Sequence, residues 1–225
     1  MQELSAGTGV TPLESGGFGS WQRITTLASG IAEALGAPLM IGAVYDRDYF
    51  CDEQIADVLK SLGANLKVAW VFDRKEIENY LLVPAALDRA IVRMLNARRA
   101  GGTDRLDVKV DSVTLLDSIT TPLREEILSQ LMARRHDYLQ HTGQDKSRLY
   151  KDVLSTFNCR WNNLSTRIGL VPGKETLRQF RQHIQDLYGV TLTDARIAES
   201  ITREEIPTDM RQLLNSLEEF RLAHH

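Results

Sequence analysis

Cysteine is nearly missing from this chain. Cys51 and Cys159 are the only two in 225 residues, and they form neither a disulfide framework nor a metal-type spacing. Both are read as reduced thiols of a cytoplasmic protein. Long apolar runs are missing too: none approaches the roughly 18–20 residues that a membrane span needs. No basic-then-apolar N-terminal pattern marks a secretory signal, so no membrane partner is expected. Positive charge is not in excess, the formal net charge being −3. That balance excludes a strongly basic, dedicated nucleic-acid binder but leaves local clusters open. Candidates are Arg93, Arg98, Arg99 and Arg105; Arg134, Arg135 and His136; and Arg167, Lys174, Arg178 and Arg181. Each such cluster is more often a solvated helix face than a phosphate track. All five histidines lie at or beyond His136, so no Ser-His-Asp arrangement is indicated in the first half. Gly16-Gly17-Phe18-Gly19 lacks the spacing and lysine of a P-loop. It is a tight turn or, at most, a set of backbone donors for phosphate.

The pattern that is present divides the chain near residue 83. A short strand is expected near 10–13. Ser20 then caps a helix carrying Trp21, Ile24, Leu27, Ile31 and Leu35 at close to 3.6 spacing, stopped by Gly36. Pro38 precedes an apolar strand over 39–45. A helix over 52–62 places Ile55, Val58, Leu59 and Leu62 on one face, Gly63 ends it, and a second apolar strand covers 66–72. Strands alternating with helices, each strand continuously apolar, predict an α/β fold: a parallel sheet flanked by helices. After Pro84 period-two alternation is scarce. Helices are predicted over 84–99, 111–138, 146–165, 174–188, 193–201 and 208–221, with Pro122 breaking or starting one inside the second. The expected organisation is an α/β domain over 1–83 followed by an all-helical domain over 84–225.

The carboxylates carry the chemistry. Asp46 and Asp48, two residues apart after the first apolar strand, would share a face if extended and could reach one hard divalent ion or two adjacent ones. Aspartates at strand ends are also ordinary caps and loop-formers. Glu76 and Glu78 follow the second apolar run with the same spacing, or form a plain charged loop with Arg74 and Lys75. Arg47 and Arg74 could neutralise phosphate or make surface ion pairs. Tyr80-Leu81-Leu82 reads as core. In parallel sheets ligands sit beyond the carboxyl ends of the strands, where these acids would fall. Lys174, in Pro172-Gly173-Lys174-Glu175, opens a helix and is either a surface lysine or one held rigidly by the turn.

The pair of elements Ala43-Val44-Tyr45-Asp46-Arg47-Asp48-Tyr49 and Arg74-Lys75-Glu76-Ile77-Glu78-Asn79-Tyr80-Leu81-Leu82-Val83-Pro84 resembles the Toprim domain of the OLD (overcoming lysogenization defect) nucleases. Pro172-Gly173-Lys174-Glu175 and Glu204-Glu205-Ile206-Pro207 resemble the helical part that follows it. The resemblance implies a Mg²⁺- or Mn²⁺-dependent DNA endonuclease using two ions. It also implies an ABC-type ATPase partner in cis or trans, a homodimer formed through that ATPase, and work in phage defence or DNA repair. On it, Asp46, Asp48 and Glu76 match the metal ligands and catalytic acids. Glu78 is a further candidate ligand, and Lys174 would stabilise charge at the scissile phosphate. One ion would activate water while the other steadies the departing 3′ oxygen.

The family's first strand ends in a glutamate, in an E-G-x-x-D-like element. Residues 1–15 offer only Glu3 and Glu14, with no room for the intervening helix. The Toprim-like domain is therefore expected to lack its first strand, as a fragment or a degenerate relative. The competing expectation is a catalytically incomplete, nucleic-acid-binding or regulatory module of the same fold. A primase- or topoisomerase-like chemistry and a nucleotide-sugar transferase using D-x-D are further removed. No tyrosine stands out as a nucleophile, and residues 1–45 are too few for a donor-binding domain.

Overall fold

A computed structural model describes residues 40–64, 66–98, 110–140 and 145–222, with scattered positions between 23 and 36. The strand near 10–13, the Gly16–Gly19 loop, the helix expected from Ser20 apart from those scattered positions, and Glu3 and Glu14 lie outside the described residues. The described chain is mostly helical, with one two-stranded parallel sheet. It forms two compact units, Met1–Asp73 with Thr208–His225 and Arg74–Pro207. The change of unit falls between Asp73 and Arg74, and the C-terminal helix belongs with the sheet.

In the first unit, strand β1 (Gly42–Tyr45) pairs in parallel with β2 (Val68–Val71), Gly42 opposite Val68 and Tyr45 opposite Val71. Helix α1 (Asp52–Gly63) connects them, so strand, helix and strand follow in the expected order. Single bonds beyond the strands, Lys67 N–H to Ile41 and Phe72 N–H to Tyr45, continue the pairing by a residue at each end. At Gly42 a side chain would meet the Val68 Cβ at 3.3 Å, so the close approach of the two strands suits a glycine. Ile55, Val58 and Leu62 of α1, at i, i+3 and i+7, pack with Ala43, Tyr45, Leu66 and Val71 into one core. β1 is not covered on both faces as its continuous apolar run predicts. Ala43 and Tyr45 are buried on α1, whereas Val44 is 38% exposed.

The second unit is helical. It contains α2 (Pro84–Arg98), α3 (Ser112–Thr120), α4 (Arg124–Leu139), α5 (Lys146–Trp161), α6 (Leu164–Arg167), α7 (Gly173–Tyr188) and α8 (Asp194–Ala198), with α9 (Thr208–Leu222) lying in the first unit. Pro84 takes the first position of α2, where its missing N–H costs nothing. The helix expected over 111–138 is interrupted by a 3₁₀ turn at Thr121–Leu123, which holds Pro122. The helix expected over 146–165 stops at Trp161, because Asn163 caps a new start by accepting from Ser165 N–H at 2.9 Å. Asp111, Asp145 and Thr193 cap α3, α5 and α8 in the same way. Gly189, at φ 65°, ends α7 in the left-handed conformation. Leu116, Ile127, Phe157, Trp161, Leu177, Phe180 and Ile184 are buried in this unit.

Candidate functional site

The chain leaves extended geometry at Tyr45. Asp46 follows the strand, and Asp48 sits in a tight turn closed by Phe50 N–H to Arg47 at 3.2 Å. Asp48 has φ 48°, the only positive φ on a non-glycine among the described residues. Asp tolerates this region better than most residues because its short side chain bonds locally. Strand alternation therefore does not set where the two aspartates point, contrary to the expectation from their spacing. Arg47 forms an ion pair with Asp52 in the first turn of α1, so this arginine serves the turn. Tyr45 and Tyr49, on either side, are buried.

Glu76 and Glu78 belong to the second unit and do not continue a strand either. Residues Ile77–Leu81 form a 3₁₀ helix with Glu76, in extended conformation, at its N-cap. Tyr80 and Leu82 are buried, as core residues should be. Arg74 donates to the Asn79 carbonyl at 2.7 Å and lies over the Tyr80 ring, 4.9 Å from its centre. Glu78 is half-buried.

The structure brings two of the expected residues together here. The Lys174 backbone N–H donates to Glu76 Oε2 at 2.8 Å across 98 residues of sequence, while Lys75 Nζ pairs with Glu76 Oε1. The physical reason lies in α7. The first N–H groups of a helix have no partner within it, and Pro172, at its N-cap, makes no side-chain bond. A carboxylate from a distant segment fills that role and meets the positive end of the helix dipole. The side chain of Lys174 is exposed. Its neighbour Glu175 accepts from Arg178 at 2.6 and 2.8 Å and from Gln179 at 2.8 Å, and these bonds hold its pKa at about 2.

Sequence reasoning missed the residue at the centre of this cluster. Asn79 is wholly buried. Its Oδ1 accepts from Glu76 N–H at 2.7 Å, and its Nδ2 donates to the Ile168 carbonyl at 2.6 Å and the Val171 carbonyl at 2.9 Å. Gly173 was missed for the same reason: a Cβ there would lie 2.7 Å from Asn79. An asparagine three residues after a glutamate that caps a short helix, and a glycine after Pro172, were the available signals.

The candidate donors Asp46, Asp48, Glu76 and Glu78 are all carboxylates, the chemistry that suits Mg²⁺ or Mn²⁺. Glu76 keeps accepting capacity, since a carboxylate has about four lone-pair directions. Among the described residues, no group of three or more His, Cys, Asp or Glu is placed to hold a metal ion. None of their helices is long and apolar enough to cross a membrane. No family model, curated protein or solved structure matches the chain.

Proposed function

We propose that the chain is the catalytic region of a Mg²⁺- or Mn²⁺-dependent DNA endonuclease with a Toprim-like domain over 1–83, of the OLD type. The observation that supports it best is the meeting of Glu76 with the Lys174 backbone N–H, which joins two motifs 98 positions apart. Asp46, Asp48 and Glu76, with Glu78, would hold the ions. A bound ion of this kind polarises a phosphoryl oxygen and lowers the pKa of a coordinated water. The task of this chain's own residues is to supply fixed oxygen donors and, through the exposed Lys174 ammonium, positive charge for a phosphate. DNA is the substrate class, an ABC-type ATPase the partner, and the cytoplasm the compartment on this proposal. The test is nicking of supercoiled plasmid with Mg²⁺ or Mn²⁺. Asp46→Ala and Asp48→Ala should each abolish cutting; equal cutting by all three proteins would mean that the aspartates are not the site.

One observation favours a second reading, a Toprim-like binding or regulatory module without turnover. Both oxygens of Glu76 already have protein partners, one of them the α7 backbone. DNA binding that persists with EDTA, with no cleavage under either ion, would decide for it.

A further inference from the structure

We propose that Asn79 is the positioning residue of the Glu76–Lys174 contact, with Gly173 providing the space it occupies; this rests on the nuclease reading only for its consequence, not for its geometry. A glutamate side chain has several free torsions, and ordering it costs conformational entropy. What removes that freedom here is one amide acting in two directions. Its oxygen accepts the Glu76 N–H at 2.7 Å while the Asn79 N–H donates to the Glu76 carbonyl at 3.1 Å, so the backbone from which the carboxylate springs is fixed. Its nitrogen holds the Ile168 and Val171 carbonyls, in the segment that leads directly into α7 and Lys174. Lys75 N–H to the Gly169 carbonyl at 2.9 Å adds a third tie between the same two segments.

The residue types follow from this double duty. Asparagine supplies one acceptor and two donors on a short stem, and all three are used. Aspartate would lack both donors. Glutamine would need room for a further methylene, and the position is wholly buried with Gly173 against it. At Gly173 any Cβ would approach the Asn79 Cγ, Oδ1 and backbone N to 2.7 Å, so the α7 start could not sit where Glu76 reaches it.

The experiment compares amide hydrogen exchange of Lys174 with that of Val153 and Phe157 in α5, in the whole chain. In the native protein the Lys174 amide should be protected although it opens a helix. In Asn79→Ala and in Gly173→Ala its exchange should accelerate at least tenfold more than that of the α5 amides, as it should in Glu76→Ala. Parallel acceleration at all three positions, or none, would overturn the proposal. So would failure of both variants to fold, since the cluster would then hold the whole unit rather than this contact. Mn²⁺ titration by paramagnetic resonance forms the second arm. Half-saturation should rise at least tenfold in Asn79→Ala and Glu76→Ala alike. Dependence on Glu76 without dependence on Asn79 would refute the positioning role. Binding indifferent to Glu76 would sink the nuclease reading while leaving the exchange result to stand alone.

Discussion

Replacing Glu76 by alanine should cost the second unit about 3 kcal/mol, a value built from three contacts. The first is the bond from the Lys174 N–H to a charged acceptor, worth roughly 1.5–3 kcal/mol. The second is the favourable placement of negative charge at the α7 N-terminus, worth about 0.3–1 kcal/mol and partly contained in the first. The third is the Lys75 ammonium, whose side chain is only 11% exposed and which would lose its carboxylate partner, adding about 1 kcal/mol. Glutamine retains an oxygen for the Lys174 amide and loses only the charge, so Glu76→Gln should cost about half as much. Urea unfolding followed by helical circular dichroism reads the difference. With a slope near 2 kcal/mol per molar, the alanine midpoint should fall by about 1.5 M. Glu78→Ala, in the same 3₁₀ helix, is the control. An alanine variant within about 0.5 kcal/mol of the native protein, or a glutamine variant as damaged as alanine, would show that Glu76 does not cap α7. The same titration repeated with Mn²⁺ separates the two roles of this carboxylate. An ion bound at a hundred times its dissociation constant stabilises by about 2.7 kcal/mol. That increment should be full in the native protein and fall to about 1.4 kcal/mol or less in Glu76→Ala, as a tenfold or greater loss of affinity requires.

Asp48 offers a separation of backbone from side chain. At φ 48° glycine is unstrained and alanine is not, so Asp48→Ala should be about 1 kcal/mol less stable than Asp48→Gly. Both should lose Mn²⁺ binding; an alanine variant as stable as the glycine one would contradict the turn geometry, and retained binding would remove Asp48 from the ligand set. Acid should weaken the helical unit through Glu175 and Glu205. Burial acts to raise the Glu205 pKa, but the Thr202 N–H and the Arg89 guanidinium outweigh it, and the net displacement is downward. A depressed carboxylate contributes stability that is complete above its unfolded value, near 4.5, and lost as pH falls through the folded value, about 2 for Glu175. Urea midpoints measured from pH 5 to pH 2.5 should therefore fall less steeply in Glu205→Gln than in the native protein, and identical slopes would refute the pairing.

The parts of this fold that could be read from the sequence are those fixed by neighbours along the chain. Ile55, Val58 and Leu62 repeat at helical spacing and bury one face of α1, and two apolar runs flank them, so strand, helix and strand were legible. Helix starts were legible where a capping side chain stood beside them, as at Asp111 and Asp145. The acids were legible as residues but not as geometry. Alternation holds only while the chain stays extended, and it stops at Tyr45, one residue before Asp46. A 3₁₀ turn then replaces the extended segment on which the pairing of Glu76 with Glu78 depended. The return of α9 to the sheet was hidden because its apolar spacing says that a face is covered, not by what.

Asn79 marks the limit of this kind of reading. Between Glu78 and Tyr80 it has the local signature of a turn residue, and local rules favour asparagine there whatever surrounds it. Its actual burial is set by carbonyls 89 and 92 positions away and by a glycine whose missing Cβ makes room for it. A buried amide with every donor and acceptor matched penalises any other arrangement of those two segments, because displacement would leave buried carbonyls without partners at roughly 1–3 kcal/mol each. The residue that decides where Glu76 sits is thus chosen by long-range polar matching. Hydrophobic periodicity, the strongest signal a single sequence carries, has no component that reports it.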